Sequence, residues 1–335
     1  MECVCGWMAR HAFRDFMRWS GSLDGFEMIG IKAICIEVPS HRIPTAPYVK
    51  AMGLEGIVLQ ERIGFKSLAR KYPGQDTSDL CVAAVKKLLS TELVQAAEVD
   101  CVVVVSQTPD EYGIPHTAAI VQRKLELPDA CACFDVNLGS SGYIYGLSIV
   151  MSCMESNGLK RGLLFTADPY SKIINDYDRD AALHFGDAAT VTLLTDQPEW
   201  SVGRFDFGTA GALGDALRVR LDTGGKLRMD SRTIQKFCLE RTPQSIIRVL
   251  ELNGLTLDQV DRVILHQASR IVIDEVGKAL AIPEKVGFYA EAYGNTGSSS
   301  IPIVLAENVA SADRRVVLSG FGTGLSWGST VLNRV

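Results

Sequence analysis

The 335-residue sequence predicts an α/β fold in which a largely parallel sheet, built from two copies of one unit, is covered by helices. Apolar strand segments alternate with helical segments along the chain, as in βαβ units. An internal repeat is the second observation: the strand segment 99–105 returns at 260–266, an offset of 161 residues. Two copies of one unit imply pseudo-twofold packing, with a cleft where equivalent strand ends meet.

The elements of the first half are predicted from local signals. The segment 99–105 is wholly apolar apart from Asp100, as in a strand buried on both faces. Asp76, Thr77 and Ser78 are capping candidates before an apolar stripe of helical period, which predicts a helix over 76–91. The other predicted elements are strands over 29–38, 133–136, 161–168 and 186–194, and helices over 46–52, 117–125 and 143 to about 155.

The second half repeats this order. Its strand 260–266 is followed by a helix, a glycine-rich turn at 293–298, another helix and a strand led by arginines at 314–319. The last predicted strand of the second half, 324–332, begins at a glycine, as does the last predicted strand of the first half, 186–194. We therefore predict an N-terminal extension at 1–27, an N-terminal half at 28–198 and a C-terminal half at 199–335.

Composition excludes several classes of protein. Apolar residues make up 47% and charged residues 22% of the chain, which is ordinary for a soluble globular protein. A net charge of −5 offers no basic surface for nucleic acid. No apolar run approaches the roughly 18 residues of a membrane helix, and residues 1–27 lack the features of a signal peptide. Nine scattered cysteines without zinc spacing are expected to be reduced thiols, which favours a cytoplasmic location and no bound metal or other cofactor.

The segment 133–147 predicts a platform for a nucleophile. A strand breaks over Gly139-Ser-Ser-Gly142 and continues as an apolar helix. The turn therefore lies at the positive end of the helix dipole, beside unpaired backbone N–H groups. Ser140 is the candidate nucleophile.

The repeat places three polar features at equivalent strand ends: Ser140, His266 and Asn295. Each taken alone is ordinary, since strand-end histidines, Asn-Gly turns and Gly-Ser loops are common. Together, a nucleophile, an imidazole and an amide donor can perform acyl transfer and stabilise an enolate-like oxygen. Backbone N–H groups of Ser140 and of the turn around Thr323 are candidates for an acyl oxyanion hole.

These motifs resemble those of thiolase-superfamily condensing enzymes, most closely the β-ketoacyl-ACP synthase III family. The similarity runs from about Met28 to Val335 and is carried by four ordered segments. They are Phe134-Asp-Val-Asn-Leu-Gly-Ser-Ser-Gly-Tyr143, Leu265-His-Gln-Ala268, Tyr293-Gly-Asn-Thr-Gly-Ser298 and Gly320-Phe-Gly-Thr-Gly-Leu-Ser-Trp-Gly-Ser329. The resemblance implies a five-layered αβαβα fold, a homodimer, and decarboxylative Claisen condensation of an acyl thioester with malonyl-ACP. It also implies substrate contacts from Arg62, Arg179 and Phe321, and acyl carrier protein as a partner.

Two departures from the family pattern bear on activity. The family's catalytic cysteine corresponds to Ser140, whose hydroxyl ionises far less readily than a thiol and needs a base within reach. Slow acylation is expected, while decarboxylation by His266 and Asn295 is expected to survive. The family's CoA-stacking tryptophan corresponds to Val58, which weakens the case for acyl-CoA as the donor and leaves acyl-ACP or another carrier-bound donor.

Three alternatives remain at this point. The serine is either natural or a replacement of cysteine in a condensing enzyme. The second alternative is an acyltransferase that transfers the acyl group to an alcohol or amine. The third is a non-catalytic partner subunit of an active ketosynthase. A serine hydrolase is disfavoured because Gly-x-Ser-x-Gly is absent around Ser140.

Overall fold

The computed structural model describes residues 28–51, 53, 62–175, 178, 181–220 and 224–335. The predicted extension 1–27, Val58 and Arg179 lie outside the described residues. The strands are β1 (Gly30–Glu37), β2 (Arg42–Pro44), β3 (Ser67–Ala69), β4 (Cys101–Val105), β5 (Ala132–Val136), β6 (Arg161–Ala167), β7 (Ala189–Thr195), β8 (Trp200–Thr209), β9 (Leu217–Arg220), β10 (Lys226–Met229), β11 (Arg262–Leu265), β12 (Arg315–Gly322) and β13 (Ser326–Arg334). The helices are α1 (Ala46–Ala51), α2 (Thr77–Leu89), α3 (Thr117–Lys124), α4 (Gly142–Asn157), α5 (Ser231–Leu252), α6 (Arg270–Ala279) and α7 (Ser300–Asn308).

Nine strands form one sheet in the order β11-β12-β13-β8-β1-β7-β6-β4-β5. In the first half, β1 and β7 are antiparallel, β7 and β6 are antiparallel, and β4 is parallel to both β6 and β5. In the second half, β8, β13 and β12 are successively antiparallel and β11 is parallel to β12. The order and sense of β1-β7-β6-β4 thus recur in β8-β13-β12-β11, as the internal repeat predicts.

The position of β5 also has a counterpart in the second half. The N–H of Val263, in β11, donates to the carbonyl of Lys285 at 2.9 Å, so the segment that begins there lies alongside β11. The two halves meet where β1 pairs with β8 through Ile31 and Trp200.

The helices occupy three layers. Helices α4 and α7 share one buried apolar cluster with strands of both halves, so they lie between the two parts of the sheet. Helices α2 and α3 pack on the first half through a second cluster, and α5 and α6 pack on the second half through a third. This is the predicted αβαβα order of layers.

Local signals explain where α2 begins. The Asp76 side chain accepts a hydrogen bond from the N–H of Thr77, and the Asp79 side chain accepts from the N–H of Asp76. This is a capping box, which satisfies backbone donors that the first helical turn leaves unpaired.

The glycine-led strands begin later than the sequence predicts, at Ala189 rather than Gly186 and at Ser326 rather than Gly324. Gly186 instead donates its N–H to the carbonyl of Asn295 at 2.8 Å, and a Cβ on Gly186 would overlap the carbonyl of Tyr293. The residues before β7 therefore contact the loop that carries Asn295. Local sequence patterns cannot reveal such a contact between distant segments.

Candidate active site

Ser140 lies in the turn between β5 and α4 and is 7% exposed. The N–H of Gly142 donates to the carbonyl of Gly139 at 2.7 Å and closes the turn. A Cβ on Gly142 would lie 2.4 Å from Val105, so the turn tolerates only the smallest residue there. The strand, turn and helix are those predicted, and Ser140 precedes the first residues of a 16-residue helix.

The end of β12 passes directly against Ser140. A Cβ on Gly322 would lie 3.0 Å from the Cβ of Ser140 and 3.2 Å from its Oγ. In the part of the chain that the structure describes, the Oγ of Ser140 makes no hydrogen bond. No described base is therefore in hydrogen-bond contact with this hydroxyl.

His266 follows β11 and is 2% exposed. Its N–H donates to the carbonyl of Ser319 at 2.9 Å, and its ring packs edge-on against Phe321 with centroids 5.3 Å apart. Nδ1 lies 2.6 Å from the Oγ of Ser300, which leaves Nε2 for a ligand. Burial lowers the pKa of His266 to about 3, so the imidazole is neutral at neutral pH.

Asn295 is held at both its backbone and its side chain. Its N–H donates to the carbonyl of His184 at 2.8 Å, and its Oδ1 accepts from the N–H of Gly297 at 3.0 Å. Gly297 has φ +58, a conformation that favours glycine. Since Oδ1 is occupied and no described group accepts from Nδ2, the amide N–H₂ is the group available to a ligand.

Asp168, directly after β6, connects the two halves at the site. Its carboxylate accepts from the N–H of Gln107 at 2.7 Å and from the N–H of Ser298 at 2.9 Å. It is fully buried, and burial raises the pKa of this carboxyl group although the two N–H donors oppose the shift. Asp168 thereby fixes the loop that carries Asn295 against the first half.

One cavity of about 500 Å³ brings the predicted residues together. Ser140, His266, Asn295 and Phe321 line it, and Arg62, which is exposed, lies at its rim. Much of the remaining wall is apolar and comes from the second half: Leu217, Met229, Ile234, Phe237, Ile271 and Val272. A largely apolar cavity that contains a few polar groups suits a ligand with an apolar body and one reactive polar group.

Thr323 does not line the cavity but follows Gly322, which does. It is half-buried, and its Oγ1 donates to Oε1 of Gln107 at 2.8 Å. The turn that carries it lies beside the nucleophile turn, since a Cβ on Gly139 would lie 2.8 Å from Oγ1 of Thr323.

Four residues that shape the site were not found from the sequence: Asp168, Ser300, Gln107 and Tyr170. The sequence carried a signal for Asp168, because an acidic residue directly after a buried strand lies at the sheet edge where sites form. The sequence contains no signal that distinguishes Ser300 from the serines next to it. Within the described ranges, no group of His, Cys, Asp or Glu is arranged to hold a metal ion, and no helix is long and apolar enough to cross a membrane.

Known proteins are similar to this chain over most of its length. The family model for 3-oxoacyl-[acyl-carrier-protein (ACP)] synthase III matches residues 134–211, and the model for its C-terminal part matches 250–334. A β-ketoacyl-[acyl-carrier-protein] synthase III of Clostridium perfringens is 34% identical over 285 residues, which cover 79% of this chain and 87% of the relative. The corresponding protein of Lactococcus lactis is 31% identical over 88% of this chain and 96% of its own length.

The chain belongs to the 3-oxoacyl-ACP synthase III family. The crystal structure of the 3-oxoacyl-(acyl-carrier protein) synthase of Burkholderia xenovorans superposes with a TM-score of 0.84 at 30% identity, over 92% of this chain and 94% of that one. The predicted thiolase-like fold is therefore confirmed. The matched segments contain Ser140, His266, Asn295, Phe321 and Thr323, whereas Arg62 lies before them.

Proposed function

We propose that the chain catalyses decarboxylative Claisen condensation of an acyl thioester with malonyl-ACP, in fatty acid or related metabolite biosynthesis. The observation that carries the proposal is a single cavity on which Ser140, a neutral His266 and the free amide of Asn295 converge. The acyl donor is an acyl-CoA or, because Val58 replaces the stacking tryptophan, an acyl-ACP. No bound cofactor is needed for this chemistry.

Acylation comes first. The Oγ of Ser140 attacks the thioester carbonyl, the new C–O bond replaces the C–S bond, and the carrier leaves as a thiol with the serine proton. The N–H groups of Ser140 and Thr323 would stabilise the oxyanion. Because no described base contacts the Oγ, this step is slow and limits the rate.

Decarboxylation and condensation follow. When Nδ1 of His266 accepts from the Ser300 hydroxyl, Nε2 carries the proton and can donate to the thioester oxygen of the malonyl group. The Nδ2 of Asn295 supplies a second donor. The bond to CO₂ breaks and leaves an enolate, which these two donors stabilise. The enolate carbon attacks the acyl carbonyl and forms the C–C bond, and the C–O bond breaks to expel the Ser140 alkoxide, which takes a proton from solvent.

The assay is formation of 3-oxoacyl-ACP and CO₂ by the purified chain with malonyl-ACP and a panel of acyl-CoA and acyl-ACP donors. We expect CO₂ release to exceed product formation, because acylation of Ser140 is the slow step. Absence of both CO₂ and product for every donor would overturn the proposal. Transfer of the acyl group to an alcohol or amine without CO₂ release would identify an acyltransferase instead.

The proposed partners are acyl carrier protein and a second copy of the chain, in the cytoplasm. Strand β5 is the last strand of the sheet, and residues 133–136 are half-buried. An edge strand of this kind can continue its sheet into a second copy. Light scattering on the purified chain tests this, since a mass of 36.4 kDa per particle would contradict the dimer.

A second candidate function is that of a non-catalytic partner subunit of an active ketosynthase. The absence of a described base at the Oγ of Ser140 favours it, because such a subunit needs no acylation. Stable association with a cysteine-containing ketosynthase would support it, and turnover by the purified chain alone would exclude it.

A further inference from the structure

The hydroxyl of Ser141, the residue after the candidate nucleophile, does not cap the helix that follows it. Ser141 is the N-cap of α4, a position where a serine hydroxyl ordinarily accepts from a backbone N–H of the first helical turn. Its side chain makes no such bond. Its Oγ lies instead 2.7 Å from the Oγ of Ser326, the first residue of β13, which is 185 residues away in the sequence.

The two serines form a directed chain of hydrogen bonds, which we call the Ser141 chain. The hydroxyl of Ser326 donates to the carbonyl of Thr323 at 2.7 Å, so its only proton is already used. Ser141 is therefore the donor to Ser326. Ser141 and Ser326 are 0% and 2% exposed, so removing either hydroxyl leaves a buried polar group of its neighbour without a partner.

The Ser141 chain ends in the turn between β12 and β13, residues 322–326, which lies against the nucleophile. A Cβ on Gly322 would lie 3.2 Å from the backbone nitrogen of Ser140, and a Cβ on Gly320 would lie 3.0 Å from the Cα of Ser141. The end of β12 thus passes both residues of the nucleophile turn. The Ser141 chain connects that turn to the residues that follow β12.

Each of the two connected turns contains one unpaired backbone donor. No described group accepts from the N–H of Ser140 or from the N–H of Thr323. These are the two donors of the proposed oxyanion hole, and they belong to segments that are far apart in the sequence. Such donors stabilise a developing oxyanion only when their positions are fixed before the reaction. The contacts between the two turns therefore determine how well the pair can act.

We infer that Ser141 and Ser326 are positioning residues, which hold the N–H of Thr323 in register with the N–H of Ser140 for the acylation step. The Ser141 chain does this because it begins at the residue next to Ser140 and ends on Thr323 itself. This inference rests on the proposed function, since the oxyanion forms only when the residue at position 140 attacks a thioester.

The groups proposed to decarboxylate malonyl-ACP are held by other contacts. Nδ1 of His266 lies 2.6 Å from the Oγ of Ser300, and Oδ1 of Asn295 accepts from the N–H of Gly297 at 3.0 Å. Neither contact involves the Ser141 chain. Loss of the chain should therefore slow acylation and leave CO₂ release from malonyl-ACP unchanged, which separates positioning from a general structural role.

The test is carried out in a Ser140→Cys form, with Ser141→Ala, Ser326→Ala and the two changes combined. Ser326→Thr keeps the hydroxyl and serves as the conservative variant. The matched control is Tyr143→Phe, which removes another buried hydroxyl near the start of α4, one that lies 3.2 Å from Oγ1 of Thr192. Intact mass follows acylation over a range of concentrations of acyl-CoA and acyl-ACP donors, and CO₂ release from malonyl-ACP is measured in the same proteins.

We expect the acylation rate at saturating donor to fall about tenfold in each alanine variant, in line with one buried hydrogen bond. The donor concentration that gives half the maximal rate should not change. The combined variant should be no slower than either single variant, because both serines act through one chain. Ser326→Thr and Tyr143→Phe should acylate as fast as the parent form.

Three results would overturn the inference alone: unchanged acylation in the alanine variants, equal falls in acylation and in CO₂ release, or additive effects of the two changes. Each of these requires that the Ser140→Cys parent is acylated. If that parent is acylated by no donor, the inference and the proposed function fail together.

Discussion

Nδ1 of His266 lies 2.6 Å from the hydroxyl oxygen of Ser300, and this hydrogen bond orients the imidazole at the cavity. Both residues are buried, and Ser300 is the first residue of α7, so a helix between the two halves holds the ring. The proposed donor role of Nε2 depends on this contact because it selects the tautomer.

Replacing Ser300 by alanine should therefore slow CO₂ release from malonyl-ACP by about tenfold, the effect of losing one buried hydrogen bond. Acylation of a Ser140→Cys form should be unchanged, since the serine acts only through the imidazole. The control is Thr296→Val, because Oγ1 of Thr296 is buried and no described group bonds to it. If CO₂ release slows equally in Ser300→Ala and Thr296→Val, Ser300 has only a structural role.

The buried imidazole also predicts how stability depends on pH. The pKa of His266 is about 3 in the folded chain and near 6.5 in an unfolded one, so protons bind the unfolded chain as the pH falls below 6.5. The stability that the neutral ring contributes is complete above pH 6.5 and is lost progressively towards pH 3. Between pH 7 and pH 5 the free energy of unfolding should fall by about 2 kcal/mol through this group.

Urea unfolding at the two pH values measures this effect in the native chain and in His266→Asn. Between pH 7 and pH 5, the free energy of unfolding of the variant should fall by about 2 kcal/mol less than that of the native chain. Identical losses would show that His266 is protonated in the folded state at pH 5.

The contact between Gly322 and Ser140 makes a steric prediction. An added methyl at Gly322 would lie 3.2 Å from the Oγ of Ser140, so Gly322→Ala should reduce acylation of a Ser140→Cys form at least tenfold by displacing the nucleophile. Gly211→Ala is the control, because a Cβ at Gly211 meets nothing within 4 Å. Intact-mass kinetics compare the two, and unchanged acylation in Gly322→Ala would contradict the described approach of β12.

Much of the fold follows from signals that act over a few residues. The turn at Ser140 is predictable because glycine at 142 and the apolar period of α4 are local, and the capping box at Asp76 is local too. The positions of His266 and Asn295 are predictable from the repeat, because it places them at strand ends equivalent to those of the first half. The sequence therefore predicts those elements whose conformation depends on residues close by in the chain.

The remaining parts of the site depend on contacts between distant segments. Gln107 meets Thr323 across 216 residues, and Gly186 pairs with Asn295 instead of entering β7. Neither contact leaves a local pattern, because each partner alone has ordinary loop chemistry. Asp168 falls in the same class, since its role is visible only once Gln107 and Ser298 lie beside it.

The central claim is that an intact condensing site carries an alcohol where a thiol would react faster. The most direct measurement is the intact mass of the native chain and of Ser140→Cys during incubation with acyl-CoA and acyl-ACP donors. We predict rapid gain of one acyl group by the cysteine form, at least a hundredfold faster than by the native chain, and loss of this gain in Ser140→Ala. A cysteine form that stays unacylated with every donor, or an acyl group attached elsewhere in the chain, would contradict the account.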